Sequence, residues 1–411
     1  MSISVLRPTH IQGVSLKQLS DQFGSPLYVY DGEKIEAQVQ ALQQAFASVP
    51  LRIKYATKAL STLAILQLIR EAGAGIDTVS IGEIHVGLMA GHEAKDIMYT
   101  PSGVAFKEIE EAVALGVMVN IDSLSLLEKF GKKYGSSVPA CLRINPHILA
   151  GGNLKISVGH KESKFGISIA QLPQILALVE QYQIPIVGLH VHTGSDIYDA
   201  EVFLESGKVL FDAAMHFPKL RFLDFGGGFK VAYREGELAT DIQKVGKIVG
   251  TAFQEFCARY GRPLEFWIEP GKYLVSEAGY FLTTVNVVKE SSSLHFLGVD
   301  SGLNHLIRPM MYEAYHEIYN LSNTAGPKAT YTVVGYICET DTFGAQRELH
   351  EVKEGDVLAI KNAGAYGFTM ASNYNMRLRP AEVLIWKGKA QLIRKRETFE
   401  DLIANQIPLP S

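Results

Sequence analysis

Short β-rich segments alternate with helical segments throughout residues 50 to 270 of this 411-residue chain. Helical patterns such as Thr62 to Glu71, Phe106 to Ala114 and Gln171 to Glu180 separate the β-rich runs. Eight consecutive βα units predict an α/β fold, a (β/α)₈ barrel of the TIM type, in which the active site lies where the strands end. The eight predicted strands are Arg52 to Lys58, Gly75 to Val79, Ile97 to Thr100, Val117 to Ile121, Ala140 to Asn145, Ile186 to His192, Phe222 to Phe225 and Phe266 to Glu269.

After Gly279 the pattern changes to strand-like runs with few helix signals between them. These runs predict a mostly β C-terminal domain over residues 280–411, with the barrel at 31–279. Phe23 to Tyr30 is also strand-like, so we expect residues 1–30 to pack with the C-terminal domain. The strand-like runs after the barrel are Tyr280 to Val288, Tyr331 to Val334, Val357 to Ile360 and Glu382 to Trp386.

Charge and cysteine usage narrow the class of protein. Lys plus Arg number 39 and Asp plus Glu 43, with no basic block, so we expect neither nucleic acid nor an anionic membrane as a partner. Residues 1 to 7 lack the apolar region of a signal peptide, and no run of about eighteen apolar residues occurs, which predicts a cytoplasmic protein. Cys141, Cys257 and Cys338 are too few and too scattered for a disulfide framework or a zinc site.

Lys58 ends the first predicted strand, and a helical pattern follows directly. A strand-end lysine in a partly dry pocket can have a lowered pKa, and its amine can then attack an aldehyde such as that of pyridoxal phosphate (PLP). Taken alone, a lysine that simply leaves a sheet for solvent is the commoner explanation. The residues at the other strand ends must therefore show which of these two explanations applies to Lys58.

Three further strand ends carry groups suited to an aromatic ring and a phosphate. The sixth strand leads to His192, whose imidazole could lie on a ring, and to the hydroxyl of Ser195, while His190 could equally be a core histidine. The seventh ends in Gly226, Gly227 and Gly228, where backbone N–H groups can approach a phosphate, although a flexible turn is the alternative. The eighth ends at Glu269, whose carboxylate could pair with a pyridinium nitrogen.

The C-terminal domain adds a thiol beside a carboxylate, Cys338 and Glu339, after a strand. It also adds Arg308, which could grip a carboxylate, with Tyr312 nearby, and a small-residue loop around Tyr366. A buried apolar cysteine, a surface arginine and a packing tyrosine in an ordinary turn are the bland alternatives.

Taken in order, these motifs resemble those of the PLP-dependent decarboxylases with an alanine-racemase-like barrel and, among them, the diaminopimelate decarboxylases. The similarity runs from about residue 24 to 385. It rests on Tyr-Ala-x-Lys-Ala at 55–59, Val-Ser-x-Gly-Glu at 79–83, Lys-Phe-Gly-Ile at 164–167, His-x-Gly-Ser at 192–195, the glycine triplet, Glu-Pro-Gly-Lys at 269–272, Cys-Glu at 338–339, Gly-Ala-Tyr at 364–366 and Ser-Asn-Tyr-Asn at 372–375.

The resemblance implies PLP as cofactor and an obligate homodimer with shared active sites, in which Cys338 and Glu339 enter the neighbouring subunit's site. It implies decarboxylation of a small amino acid, meso-2,6-diaminopimelate, to L-lysine in the last step of lysine biosynthesis. Lys58 would form the Schiff base, and Cys338 would act near Cα. The implied cofactor contacts are Lys58, His192, Ser195, Gly226, Gly227, Gly228, Glu269, Gly271 and Tyr366, and the implied substrate contacts are Lys272, Arg308, Tyr312, Glu339 and Tyr366.

Two departures from the family pattern stand out: Lys272 replaces the usual arginine, and Cys-Glu-Thr-Asp is one residue shorter than the usual Cys-Glu-Ser-Gly-Asp. Cys-Glu rather than Cys-Asp favours a substrate with a zwitterionic tail. A decarboxylase of ornithine, arginine, carboxynorspermidine or a carrier-bound substrate stays open. A racemase is disfavoured by Glu269 where an arginine is usual, and a silent regulatory homologue should have lost Lys58 or the glycine triplet.

Overall fold

The structure is a computed structural model that describes residues 7–148, 159–291 and 294–410. Most of the N-terminal stretch inspected for a signal peptide, residues 1–6, lies outside the described residues. The chain divides into two compact units. One unit comprises Glu36–Val231 and Leu238–Leu274, and the other comprises Met1–Ile35, Ala232–Glu237 and Val275–Ser411.

The N-terminal segment contributes to the β-rich unit. It forms the strands β1 (His10–Ile11) and β2 (Val14–Ser15), the helix α1 (Leu16–Phe23) and the strand β3 (Leu27–Asp31). The hydroxyl of Ser15 accepts a hydrogen bond from the N–H of Gln18 and so caps α1. The predicted strand at Phe23 to Tyr30 therefore begins only at Leu27, because Phe23 belongs to the last turn of α1.

The first compact unit is the barrel. Its strands are β4 (Leu51–Ala56), β5 (Gly75–Thr78), β6 (Ile97–Tyr99), β7 (Met118–Ile121), β8 (Ala140–Asn145), β9 (Ile167–Ser168), β10 (Ile186–Val191), β11 (Phe222–Asp224) and β12 (Glu265–Ile268). The helices of this part of the chain are α2 (Gly32–Ala45), α3 (Leu63–Glu71), α4 (Ile81–Met89), α5 (Phe106–Ala114), α6 (Leu124–Tyr134), α7 (Leu172–Tyr182), α8 (Ala200–Ala214), α9 (Ile242–Tyr260) and α10 (Lys272–Val275).

Parallel pairing closes eight of these strands into a ring. β12 pairs with β4, and β10 pairs with both β8 and β11, while the short β9 pairs only with β8. Every strand of the ring corresponds to one of the eight predicted runs. The predicted (β/α)₈ barrel is therefore confirmed, and its strand ends meet at one mouth.

The lower part of the barrel interior is closely packed. Phe222 stacks on Trp267 with 3.7 Å between ring centroids, and a Cβ at Gly188 would overlap the Phe222 ring. Lys54 is buried here with its ammonium 4.4 Å from the Trp267 ring. Large rings fill the lower barrel, so ligand chemistry is confined to the residues nearer the carboxyl ends of the strands.

The second unit is a mostly β sheet, as predicted for the C-terminal region. Its later elements are β13 (Gly279–Glu290), β14 (His295–Val299), α11 (Arg308–Tyr312), β15 (Ile318–Asn320), β16 (Lys328–Val334), β17 (Thr342–His350), β18 (Val357–Lys361), β19 (Ala381–Trp386), β20 (Lys389–Arg394) and α12 (Phe399–Ile403). The strand order is β17-β16-β14-β13-β3-β19-β20, and β18 pairs with β13 and β15. Leu27, Val29, Leu282 and Val383 lie in its buried core. Across the described residues, no helix has both the length and the apolar character needed to cross a membrane.

Candidate active site

Lys58 lies in a 3₁₀ turn, Thr57–Ala59, directly after β4. The Thr57 hydroxyl donates to the carbonyl oxygen of Asp77 at 3.0 Å and ties this turn to β5. The strand ends at Ala56, two residues earlier than the sequence predicted. Lys58 is exposed rather than enclosed in a partly dry pocket, since the turn carries it beyond the buried part of the strand.

A layer of buried polar side chains fills the barrel just inside its mouth. His190 on β10, Asp224 on β11 and Glu269 after β12 each bring one side-chain atom to within 4.8 Å of the other two. The ring Nε2 of His190 lies 3.1 Å from Oε2 of Glu269. Asp77 from β5 and Arg143 from β8 belong to the same layer and are also buried. Neighbouring strands in register therefore place acids, imidazole and guanidinium side by side.

Burial would raise the pKa of Glu269, but its interactions with His190, His192 and Lys58 together outweigh burial and hold this pKa below its usual value. Burial lowers the pKa of His190, so the pair is a neutral imidazole donating its Nε2–H to an ionised carboxylate. Burial and the charge of Glu269 raise the pKa of both Asp77 and Asp224 well above the ordinary value. Glu269 therefore ionises more readily than the two aspartates beside it.

His192 follows β10, and the glycine triplet fixes the orientation of its imidazole ring. The N–H of Gly227 donates to Nδ1 of His192 at 3.3 Å, so the neutral ring carries its proton on Nε2. Burial, then the positive charges of Lys58 and Arg143, lowers the pKa of His192 well below its ordinary value. The imidazole is therefore neutral.

The triplet needs glycine for close packing. A Cβ at Gly227 would overlap the carbonyl oxygen of Glu269, and a Cβ at Gly228, where φ is 101°, would overlap the carbonyl oxygen of Gly194. The N–H of Gly226 donates to Oδ1 of Asp224 at 2.9 Å, so the N–H groups of Gly226 and Gly227 both serve barrel side chains. This use of two N–H groups differs from the predicted picture, in which the whole triplet faced a phosphate. Gly271 is similarly tight, with the Cβ atoms of Ala56 and Ala59 close to where its own Cβ would be.

Lys272, the departure from the family pattern, lies in the barrel unit at the start of α10. Its ammonium forms an ion pair with the carboxylate of Asp196, the residue after Ser195. Lys272 is buried and Asp196 is partly buried at a positive φ of 62°. This pairing was not predicted, because the two residues are far apart in the chain.

In the β-rich unit, Arg308 is buried among three tyrosines. Its guanidinium lies 5.4 Å from the ring of Tyr233, 5.9 Å from that of Tyr312 and 5.8 Å from that of Tyr366. Its Nε has no hydrogen-bond partner among the described residues. A buried guanidinium with an unpaired nitrogen beside aromatic rings attracts an anion, preferably a carboxylate that can bond to two of its nitrogens.

Cys338 and Glu339 are both exposed, in the loop between β16 and β17. The side-chain amide of Asn375 donates to Sγ of Cys338 at 3.1 Å, and the hydroxyl of Tyr374 donates to Glu339 at 2.6 Å. Asp341 is buried and accepts hydrogen bonds from the N–H groups of Ile337 and Leu303. The loop is thus anchored by Asp341, with its thiol and carboxylate directed to the surface of the unit.

Sequence reasoning did not assign the buried partners of the candidate residues. Asp77 and Arg143 were taken only as parts of β-rich runs, and Asp224 was noticed only as the residue before Phe225 and the glycines. The signal for all three is an ionisable residue inside an apolar strand. Such a residue is seldom fully buried without a functional or structural partner.

Comparison with known proteins agrees with this geometry. Residues 32–276 match the family model described as pyridoxal-dependent decarboxylase, pyridoxal binding domain. The chain is 39% identical over 407 residues to a diaminopimelate decarboxylase of Methanothermobacter thermautotrophicus, covering 96% of this chain and 95% of that protein. It is 35% identical over 416 residues to the diaminopimelate decarboxylase of Escherichia coli K12, with 97% and 98% coverage.

Solved structures show the same similarity. A crystal structure of a diaminopimelate decarboxylase matches with a TM-score of 0.90 and 34% identity, covering 97% of this chain and 98% of that one. The Helicobacter pylori diaminopimelate decarboxylase complexed with L-lysine matches with a TM-score of 0.87 and 34% identity, covering 94% and 98%. This chain therefore belongs to the pyridoxal-dependent decarboxylase family and, within it, to the diaminopimelate decarboxylases.

Proposed function

We propose that this chain uses PLP to convert meso-2,6-diaminopimelate to L-lysine and CO₂, and so performs the last step of lysine biosynthesis. Relatives matched over nearly the full length of the chain carry the name of this activity, and a similar structure contains L-lysine. The observation within this chain that carries the proposal is the buried carboxylate of Glu269, which lies 3.1 Å from His190 and whose Oε1 has no hydrogen-bond partner among the described residues.

The residues present in the barrel fit PLP. Oε1 of Glu269 is buried without a hydrogen-bond partner among the described residues, so this carboxylate has acceptor sites to offer a protonated pyridine nitrogen. Nearby, His192 offers a neutral imidazole whose orientation is fixed by the glycine triplet. Lys58 offers an exposed amine at the same mouth. The ring and the aldehyde of the cofactor thus each have a candidate partner.

The roles of the barrel residues follow from their chemistry. When bound, PLP supplies an electron sink for the bond electrons that CO₂ leaves behind. Lys58 holds the cofactor through its amine, and Glu269 keeps the ring nitrogen protonated by offering it an ionised carboxylate. The phosphate is proposed to be held by the hydroxyl of Ser195 and by the backbone of Gly228 and Gly271. Tyr366 is also proposed to contact it. Gly226 and Gly227 support this mouth through the hydrogen bonds they donate.

Substrate selection is assigned to the β-rich unit and to Lys272. Arg308, with Tyr312, is proposed to take the distal carboxylate of the substrate, since its guanidinium lies beside aromatic rings and its Nε has no hydrogen-bond partner among the described residues. Glu339 is proposed to take the distal ammonium. Cys338 or Lys58 then delivers a proton to Cα after CO₂ leaves.

We further propose a homodimer in which Cys338 and Glu339 serve the partner's site. Their exposure on a loop of the β-rich unit supports this assignment, because a thiol and a carboxylate exposed on one chain are available to another. A cytoplasmic location remains a prediction from the sequence.

The proposed function is tested by measuring CO₂ release from meso-diaminopimelate, L-ornithine, L-lysine and L-arginine under the same conditions. We expect turnover of meso-diaminopimelate at a kcat/KM at least about a hundredfold above the others, since both distal groups must be bound. Lys58→Ala should abolish release, whereas Lys244→Ala, which removes an exposed ion pair with Glu201, should not change it. Faster release from L-ornithine would replace the proposed substrate, and no release from any of the four would refute the activity.

A further inference from the structure

The buried layer of the barrel contains more carboxyl groups than cations. Asp77, Asp224 and Glu269 are 3%, 0% and 7% exposed. Buried Arg143 contributes one positive charge, and exposed Lys58 contributes a second from the mouth. His190 and His192 have lowered pKa values and are neutral. Because an unpaired buried charge is costly, one of the three acids is expected to retain its proton.

The groups that face Asp224 come from every neighbouring element. His190 lies beside it in register on β10, and Glu269 follows β12 on its other side. Cys141 on β8 and Lys54 on β4 interact with it electrostatically, as do Arg143 and Asp77. Lys54 is separated from the polar layer by its stacking on Trp267 in the lower barrel.

We propose that Asp224 is a protonated carboxylic acid that donates a hydrogen bond to Glu269, and that it is a positioning residue for the carboxylate facing the cofactor ring. Its Oδ1 accepts the N–H of Gly226 at 2.9 Å, which leaves Oδ2 to carry the proton. Oδ2 of Asp224 and Oε1 of Glu269 are both buried without another hydrogen-bond partner among the described residues. One proton between these two side chains satisfies both oxygens.

Asp224 suits this role better than Asp77. Burial and the charge of Glu269 raise the pKa of Asp77 too, but the ammonium of Lys58 and a hydrogen bond from Thr100 both favour its charged form. For Asp224 the largest influences are burial and the negative charge of Glu269, and its hydrogen bond with Glu269 acts in the same direction. These three raise the pKa of Asp224 and outweigh the N–H of Gly226, which lowers it, so the neutral form is favoured.

A neutral hydrogen-bond donor leaves both acceptor sites and the negative charge of Glu269 available to the cofactor ring. An ionised carboxylate has about four acceptor sites, of which His190 occupies one and Asp224 another, so sites remain for a protonated ring nitrogen. Neither donor adds charge, and the negative charge of Glu269 therefore stays available to the ring. This role toward the ring rests on the proposed function, whereas the proton on Asp224 does not.

The protonation state can be measured directly by infrared spectroscopy of the PLP-loaded enzyme at neutral pH. We expect a carbonyl stretch of a protonated carboxylic acid that shifts when the protein is labelled with ¹³C-carboxyl aspartate. The band should disappear in Asp224→Asn and remain in Asp77→Asn. Absence of the band, or its survival in Asp224→Asn, overturns the proposal. The readout needs no turnover, so failure of the CO₂ assay leaves it intact.

A second measurement uses cofactor affinity. Asp224→Asn keeps a neutral donor to Glu269 and an acceptor for Gly226, so its affinity for PLP should lie within about threefold of the original. Asp224→Leu removes both and should weaken PLP binding by about tenfold or more. If Asp224→Asn weakened PLP binding as much as Glu269→Gln, a carboxylate charge at 224 would be required and the proposal would be wrong. If Asp224→Leu does not fold, the infrared band and the asparagine variant decide the question.

Discussion

The ammonium of Lys272 is paired with the carboxylate of Asp196 at the mouth of the barrel. The sequence indicated a lone positive charge where the family has arginine, ready to bind a phosphate or carboxylate. The pair changes that picture, because any anion that approaches Lys272 must share it with Asp196. Since Lys272 is buried and Asp196 only partly so, the lysine is more dependent on the pair than the aspartate is.

We predict that Asp196→Asn strengthens anion binding, since it leaves the ammonium of Lys272 unneutralised. Inhibition by inorganic phosphate should tighten by about fivefold, equivalent to about 1 kcal/mol. Lys272→Ala should raise the apparent KM for substrate or cofactor, because it removes about 1.5–3 kcal/mol of binding free energy. The double variant should recover part of that loss, because it no longer leaves Asp196 unpaired.

Lys272→Arg should be tolerated, since a guanidinium can bind Asp196 through two nitrogens. Lys244→Ala, which breaks an exposed pair with Glu201, is the matched control and should change neither KM nor phosphate inhibition. Unchanged KM and PLP affinity in Lys272→Ala would show that the pair is only structural.

A second prediction is that Lys58 is the residue bound to PLP. The purified enzyme should be yellow, and borohydride reduction followed by peptide mapping should place the pyridoxyl label on Lys58. Lys54 is the informative competitor, because burial lowers its pKa to about 8 and makes its amine more nucleophilic, yet it lies under the Trp267 ring. Lys54→Met should therefore keep the label on Lys58. A label on Lys54 or Lys272 would contradict the assignment.

The strands of the barrel were predictable because apolar runs of the right length alternate with helical patterns over the whole unit. In the β-rich unit, β1, β2, β14, β15, β17 and β20 were missed. β20 (Lys389–Arg394) is largely exposed on an edge, so its sequence lacks the apolar alternation that marks a half-buried strand.

The candidate site was predictable where chemistry follows a strand end, as at Lys58, His192 and Glu269. Its buried partners were not. The contacts of Glu269 with His190 and of Lys272 with Asp196 join residues 79 and 76 positions apart in the chain, so only strand closure brings them together. Sequence patterns report which face is apolar, but they do not report which charges meet across a barrel.

Gly227 provides a third prediction. Its Cβ would overlap the carbonyl oxygen of Glu269, so Gly227→Ala must displace either the triplet or the residue that holds the cofactor ring. We expect weaker PLP binding and a loss of about 1–3 kcal/mol in the free energy of unfolding, measured by dialysis and by denaturant. Gly82→Ala is the control, since its nearest contact would be the Ser80 hydroxyl at 3.7 Å. Equal PLP affinity in the two variants would contradict the close packing.

A fourth prediction concerns pH and Lys54. Burial lowers its pKa from 10.5 to about 8, so between these values the unfolded chain binds a proton that the folded chain does not. The free energy of unfolding should therefore rise with pH across this window, by about 3 kcal/mol relative to Lys54→Met. Below pH 8 the difference between the two proteins should be constant. Exposed Lys107→Met is the control, and an equal slope in Lys54→Met and the original protein would refute the prediction.

The last prediction tests whether Cys338 serves the partner's site. Lys58→Ala and Cys338→Ala should each be inactive as homodimers. After subunit exchange, a mixed dimer has one site that contains both residues if Cys338 is contributed across the interface. Since half of randomly mixed dimers are of this kind, activity should return to about a quarter of the original.

The matched control mixes Lys58→Ala with Glu269→Ala. Both changes lie in the barrel, so each barrel of the mixed dimer still lacks one residue and activity should stay absent. Subunit exchange is verified by mass spectrometry of differently tagged chains. If exchange is complete and the first mixture remains inactive, Cys338 acts within its own chain or takes no part in catalysis. If both mixtures regain activity, the recovery does not depend on Cys338, because each barrel of the control dimer lacks either Lys58 or Glu269.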